Sequence, residues 1–264
     1  MMQKNDTYEN QILLEGMTSI SALINGLRSG VNDRRLLRVL IDSEKLKSKA
    51  KELSFLRAVS SELGYSIEET DADTIDTMTN GTTHGGIVAL CTDRTIASLD
   101  EAMVHEGSAW QRPDGFFVML EGIEDPYNFG YDLRSLYAAG VDGVVLSPRN
   151  WMNAASIVAR SSAGASELLP MAVCEPEAAA LLLQQRGYRV VCAGIRDSVS
   201  LYESNMTRPL LLVVGGEKRG ISRALLDHAD EIVRIDYGRE FRGSLSTASA
   251  ATVLAFEVLR QNCK

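Results

Sequence analysis

Glu217 stands in Gly215-Gly216-Glu217-Lys218-Arg219-Gly220, directly after the apolar run 210–214. Glycines let a ligand come close to the backbone, and loop amides can then hydrogen-bond a planar polar group such as a nucleobase. Val214, Gly215, Gly216 and Gly220 are therefore candidate contacts to a nucleotide-like cofactor. A second apolar run, Ile232-Val233-Arg234-Ile235, ends in a polar loop, and Gly243-Ser244-Leu245-Ser246 then leads into a small-residue helix expected over 247–260. Upstream, Asn128 and Arg134 follow the apolar run 116–120. An amide can orient a substrate by hydrogen bonds, and a guanidinium can hold a phosphate in its fork. Each residue also has a plainer reading: Asn128 or Ser244 as a helix N-cap, Arg134 as a surface ion-pair partner, Glu217 as a solvated turn residue.

Elements that place these groups can be read from patterning. Strands are expected at 36–41, 65–67, 86–91, 116–120, 144–146, within 168–173, at 190–193, 210–214 and 232–235. Helices are expected at 10–25, from an N-cap at Ser43 to 63 with Gly64 closing it, at 73–78, from the Asn128 segment to 139, at 154–162, 177–185 and 247–260. The first hundred residues or so form a compact α/β unit. Patterning fades between 93 and 114, where Gly107-Ser108 and Pro113-Asp114-Gly115 signal turns, so the domain boundary is placed near 108. The remainder alternates strand and helix into a mostly parallel sheet, in which ligands bind at the carboxyl ends of strands. Asn128, Arg134, Glu217, Ser244 and Ser246 all fall after such strands.

Composition narrows the classes. The apolar runs are far too short to span a membrane, and the N-terminus has no apolar core behind its charge, so no signal peptide is expected. Cys91, Cys174, Cys192 and Cys263 lie far apart, and His84, His105 and His228 lack ligand spacing; neither a metal site nor a disulfide framework is expected, which fits a cytoplasmic protein. Net charge is −8, yet nine basic residues oppose four acidic ones between Arg28 and Arg57. This basic face, with Arg28, Arg34, Arg35 and Arg38 as candidates, either binds phosphates or is a solvated helix surface.

Asp125-Pro126-Tyr127-Asn128-Phe129-Gly130 with Arg134, Ser162-Ala163-Gly164-Ala165, Gly215-Gly216-Glu217 with Gly220, and Ser244-Leu245-Ser246 occur in one order. Together they resemble the motifs of the SPOUT superfamily of methyltransferases, SpoU/TrmH branch, over about 115–262. The segment Thr79-Asn80-Gly81-Thr82-Thr83-His84-Gly85-Gly86 is similar to the closing signature of the ribosomal-protein-like α/β substrate-binding domain often fused in front of that family. The resemblance implies a small N-terminal RNA substrate-binding domain with linker (1–108) and a C-terminal SPOUT domain (109–264) with a trefoil knot. It implies a homodimer that transfers a methyl group from S-adenosylmethionine to a ribose 2′-hydroxyl of ribosomal or transfer RNA, without metal or membrane. Arg134, Asn128, Glu217 and Ser244 are then the candidate catalytic residues. Backbone around Val214, Gly215, Gly216, Gly220, Ile235, Leu245 and Ser246 would hold the cofactor.

The chain departs from the family's pattern at four places. Gly216 and Ser246 stand where Asn is usual, Asp236 stands where Pro is usual, and Asp132 adds a charge inside the first motif. The loop 236–243 is also about one residue longer than usual. A relative that keeps the fold and binds RNA without turnover is the alternative.

Overall fold

The computed structural model describes residues 11–79, 81, 83–148 and 154–263. In chain order its elements are β1 (Ile12–Glu15), α1 (Gly16–Arg28), β2 (Leu36–Asp42), α2 (Ala50–Leu63), β3 (Ser66–Thr70), α3 (Ala72–Met78), β4 (Ile87–Cys91), α4 (Leu99–Val104), β5 (Phe116–Glu121), α5 (Pro126–Ala138) and β6 (Gly143–Leu146). There follow α6 (Ala155–Ser161), α7 (Ala165–Leu168), β7 (Met171–Val173), α8 (Pro176–Gln184), β8 (Arg189–Ala193), β9 (Val199–Ser200), β10 (Leu210–Gly215), α9 (Arg223–Leu226), β11 (Glu231–Arg234) and α10 (Thr247–Asn262).

The chain divides into two compact units: Met1–Thr95 with Trp151–Leu168, and Ile96–Asn150 with Leu169–Lys264. The division lies earlier than 108 because Ser98 opens α4 with a capping box, and Leu99, Met103 and Trp110 enter the second unit's core. A six-residue helix is too short to show a period.

In the first unit, the sheet order is β1-β4-β2-β3, antiparallel except for β2 with β3. Residues 12–15, expected to begin a helix, form β1 instead: Ile12 pairs with Cys91 and Glu15 with Val88. Gly16, at φ +77°, then turns the chain into α1. Apolar residues at 12, 13 and 17 fit either period, and cross-strand pairing decides between them. Ser43 begins a 3-10 turn capped by Asp42, and α2 starts only at Ala50. Gly64 closes α2 in the left-handed conformation, as expected. His84 is buried, with Nε2 2.9 Å from Asp76 Oδ1 and Nδ1 accepting from Gly86 N. Asn80 and Thr82 of the same signature lie outside the described residues.

The Ser-Ala-Gly-Ala stretch belongs to this first unit rather than to the second. Gly164, at φ +85°, lies so close to α1 that an added Cβ would stand 2.4 Å from Ala22 Cβ. Next to it Glu167, 1% exposed, accepts from Asn32 Nδ2 at 2.6 Å and Arg34 Nε at 2.9 Å. The pull of this buried network on α7 was not visible in the local sequence.

The second unit holds the sheet β7-β6-β5-β10-β8-β11-β9, and every neighbouring pair is parallel. β5 and β10, its adjacent inner strands, are buried apolar runs up to their last residues, as a sheet covered on both faces requires. Phe117, Met119, Leu211 and Val213 face a core shared with α4 and α8. On this sheet, α5 packs against α10. The loops that carry the motifs leave the carboxyl ends of β5, β10 and β11.

Candidate functional site

Close backbone packing shapes the loop after β10. Gly216 N donates to Glu121 O at 2.7 Å, and Gly220 N returns to Gly216 O at 2.9 Å. A Cβ on Gly215 would stand 2.4 Å from Gly220 C, and one on Gly216 would stand 2.2 Å from Gly122 O. A side chain at 216 would have to displace the Gly122 carbonyl, so the path of this loop requires glycine there.

This loop fastens the start of α10. Glu217 Oε1 accepts from Thr247 N at 3.3 Å. The N-cap is Ser246, whose Oγ accepts from Ser249 N at 3.3 Å; Ser244 does not cap the helix. Serine at 246 thus does the capping that asparagine can also do. Tyr237, from the loop after β11, accepts from Leu245 N at 3.1 Å and leans on Phe241, ring centroids 5.8 Å apart. Asp236 is tied back by Ser200 Oγ and by Arg234 Nε. The Ser200 hydroxyl, and then Arg234, hold its carboxyl below the usual range.

Between these loops lies a cavity of about 550 Å³. Val214, Gly215, Gly216, Gly220, Ile235, Ser244 and Leu245 line it, with Glu217, Tyr237, Phe241, Ala250 and Leu254. Its volume falls within the range typical of small-molecule sites. A smaller cavity of about 100 Å³ adjoins it, lined by Gly122, Asp125, Asn128, Lys218 and others. Gly216, Glu217 and Thr247 line both.

Asp125, not Asn128, caps α5: its Oδ1 accepts from Asn128 N at 2.8 Å. The Asn128 side chain is thereby left to the small cavity. Arg134 lines neither cavity. It is exposed, makes no hydrogen bond or ion pair among the described residues, and follows Tyr127 and Tyr131 along one exposed face of α5. On the buried side of the same helix, Asp132 is fully covered with neither carboxylate oxygen hydrogen-bonded. Burial, and then the Glu217 carboxylate, push it up to about 8.

The basic run is largely consumed within the first unit. Arg34, expected to meet RNA, is 6% exposed and spends its charge on Glu167, with Nη1 on Thr92 O at 2.9 Å. Burial in this network removes it from any binding surface. Arg28 is paired with Glu62 at 2.5 Å, and Arg38 lies 3.7 Å from Glu68. Arg35 alone of the four candidates is exposed with no side-chain partner among the described residues. In the second unit Arg219, Arg239 and Arg242 are exposed without ion pairs among the described residues, and Arg242 lines the larger cavity. Sequence reading missed these three, along with Tyr237, Phe241 and Thr247. A cation or aromatic ring in an aperiodic loop carries no signal of which way it points.

Comparison with known proteins adds to this geometry. A 23S rRNA (guanosine-2′-O-)-methyltransferase, RlmB, of Yersinia pestis is 31% identical over 209 residues, covering 75% of this chain and 79% of the relative. The crystal structure of an AdoMet-bound rRNA methyltransferase from Sinorhizobium meliloti superposes with a TM-score of 0.75 at 21% identity, covering 97% and 89% of the two chains. That of the SpoU methyltransferase AviRb from Streptomyces viridochromogenes, in complex with AdoMet, gives 0.74 at 23% identity, covering 96% and 90%. Residues 115–256 match the model of the SpoU rRNA Methylase family, and the chain belongs to that family.

Proposed function

We propose that this chain is an RNA ribose 2′-O-methyltransferase that uses S-adenosylmethionine, with ribosomal or transfer RNA as substrate. The observation that carries the reading is the pair of adjoining cavities at the strand ends, one nucleotide-sized and one small and polar, sharing Gly216, Glu217 and Thr247. The larger cavity fits the cofactor: Val214, Ile235, Leu245 and Leu254 suit an adenosine, and the Glu217 carboxylate suits a cation. S-adenosylmethionine held there supplies a methyl group already activated on a sulfonium.

The rest of the work is placement and removal of one proton: as the 2′-oxygen takes the methyl its O–H bond breaks, and the proton passes to the RNA phosphate beside Arg134 or to solvent, while the protein residues bind and orient. Asn128 aims a polar amide into the small cavity, where an acceptor ribose would sit. Glu217 keeps the β10 loop and the head of α10 in register. Arg134 holds an RNA phosphate and stabilises negative charge on the 2′-oxygen, because guanidinium groups donate hydrogen bonds and do not accept them. Ser244 and Leu245 contact the cofactor from the loop before α10. The departures at Gly216 and Ser246 have structural reasons, which supports an active enzyme over a degenerate binding protein.

Arg134 stands away from its own chain's cavities, and Tyr131, Val253 and Phe256 are exposed on α5 and α10. This supports a homodimer through that face, with Arg134 serving a second copy's acceptor site. A knotted path through the β10 and β11 loops and a cytoplasmic location belong to the same reading; no described helix is long and apolar enough to cross a membrane.

Calorimetry with S-adenosylmethionine and methyl transfer into bacterial ribosomal RNA test the proposal. Ala250→Leu should abolish the heat by filling the cavity from α10. Arg134→Ala should lose transfer on the order of 10²-fold or more while keeping cofactor heat. Mixing Arg134→Ala with Asn128→Ala should restore up to a quarter of the activity if Arg134 acts across the dimer, and nothing if it acts within one chain. A folded wild type without cofactor heat would overturn the reading.

A further inference from the structure

Nine basic residues lie between Arg28 and Arg57, and their environments sort them into two groups. Arg28, Arg34, Arg38, Lys45 and Lys49 each have a carboxylate within 4 Å. Arg35, Lys47, Lys51 and Arg57 are exposed, and their side chains make no hydrogen bond or ion pair among the described residues. Three of these four gather on α2 and the turn before it. Lys47 and Arg57 line a groove of about 470 Å³ with Leu46, Ala50, Leu53 and Ser54, and Glu69 of β3 also lines it.

The groove has the position of a ligand site. Lys47 lies just beyond the end of β2, and Glu69 is the penultimate residue of β3, its parallel neighbour. Ligands collect outside the carboxyl ends of parallel strands because the loops diverge there. The walls are cationic over a partly apolar floor, which suits a polyanion with flat apolar faces. Phe55, 36% exposed on α2, offers a ring near Lys51 for an unstacked base. A base already stacked in a duplex could not use it.

We propose that this groove, with the exposed face of α2 beside it, is where the first unit takes hold of a single-stranded segment of the RNA substrate, with Lys47 and Arg57 in the groove and Lys51 next to it on its phosphates. The inference rests on the RNA methyltransferase reading and names the surface that serves it, in place of the paired arginines at 28, 34 and 38. Glu69 opposes an anion, so its neutralisation must strengthen binding. That opposite sign separates a phosphate site from a merely structural patch.

Fluorescence anisotropy of the full chain tests this, using a labelled single-stranded RNA of roughly 20 nucleotides and the same sequence as a duplex. The double variant Lys47→Ala with Arg57→Ala should weaken single-strand binding about 10-fold and flatten its salt dependence by about 0.7 in log–log slope per lost contact. Glu69→Gln should tighten it, and Phe55→Ala should weaken the single strand while leaving the duplex unchanged. Heat with S-adenosylmethionine should be the same in all of these variants, showing an intact second unit. Wild-type binding by the double variant, or no gain from Glu69→Gln, overturns the groove and leaves the enzyme reading standing if the wild type methylates ribosomal RNA. Equal competition by polyglutamate would assign the groove to an acidic protein instead. A wild type with cofactor heat that binds neither RNA form would sink the RNA reading and the groove together.

Discussion

Glu167 in the first unit and Asp132 in the second are both carboxylates hidden from solvent, at 1% and 0% exposure. Donors converge on Glu167: Asn32 Nδ2 at 2.6 Å, Arg34 Nε at 2.9 Å and Ser166 Oγ at 3.1 Å. Nothing among the described residues donates to either oxygen of Asp132. Burying a charge is costly unless partners replace water, and a carboxyl without them retains its proton instead. The difference therefore separates two uses of one chemical group. Glu167 fastens the segment after Gly164 to α1 and the strand β2 region. Asp132 loads the helix that carries Asn128 and Arg134 with an acid that is largely neutral at pH 7.

Removing the unpaired member should give the largest effect, and a stabilising one. Asp132 is raised from 3.8 to about 8, so below about pH 4 both folded and unfolded chains hold its proton. Between there and about pH 8 only the unfolded chain has released it, and stability falls by about 1.4 kcal/mol per pH unit. Above about 8 the folded chain ionises too, and the loss stops growing. Asp132→Asn should thus match the wild type near pH 4 and exceed it by on the order of 5 kcal/mol at pH 8. Urea melts at successive pH values read this directly. A difference that stays flat with pH would mean that Asp132 finds a partner in solution.

The paired member should behave in the opposite sense. Glu167→Gln keeps the shape but leaves the Arg34 guanidinium buried with only Asp93, 3.8 Å away, to answer it. Breaking one side of a buried ion pair typically costs about 3 kcal/mol. The loss should appear in urea melts at pH 7, and limited proteolysis should cut 155–168 earlier than in the wild type. A loss under about 1 kcal/mol would place this pair with exposed ones.

The two carboxylates also show what the sequence could reveal. Strands β5, β6, β8 and β10 were legible because both their faces are buried and their residues form unbroken apolar runs. The glycine loop and the order of Asn128, Glu217 and Ser244 were legible because they are local in the chain. What was hidden depends on distant neighbours. Arg34 reads as one cation in a basic run, and only Glu167, 133 residues away, turns it into a core residue. Ser246 rather than Ser244 caps α10, a distinction of two residues that propensity does not resolve. Gly216 reads as a departure until Gly122 O is found against it.

A finer version of the comparison asks how much of the Asp132 effect comes from its neighbour. Burial is the larger cause of its raised pKa, and the Glu217 carboxylate is the second. Glu217→Gln removes that charge and retains a carbonyl oxygen able to accept from Thr247 N. The pH at which the Asp132→Asn stability difference stops growing should then move down from about 8, by the smaller part of the whole shift, because burial is the larger cause. The measurement is the same set of melts, repeated in chains that carry Glu217→Gln. A shift of several units would make charge repulsion the main cause and burial the minor one. No shift would show that solvent screens the exposed Glu217 completely, leaving burial as the whole reason that this acid holds its proton.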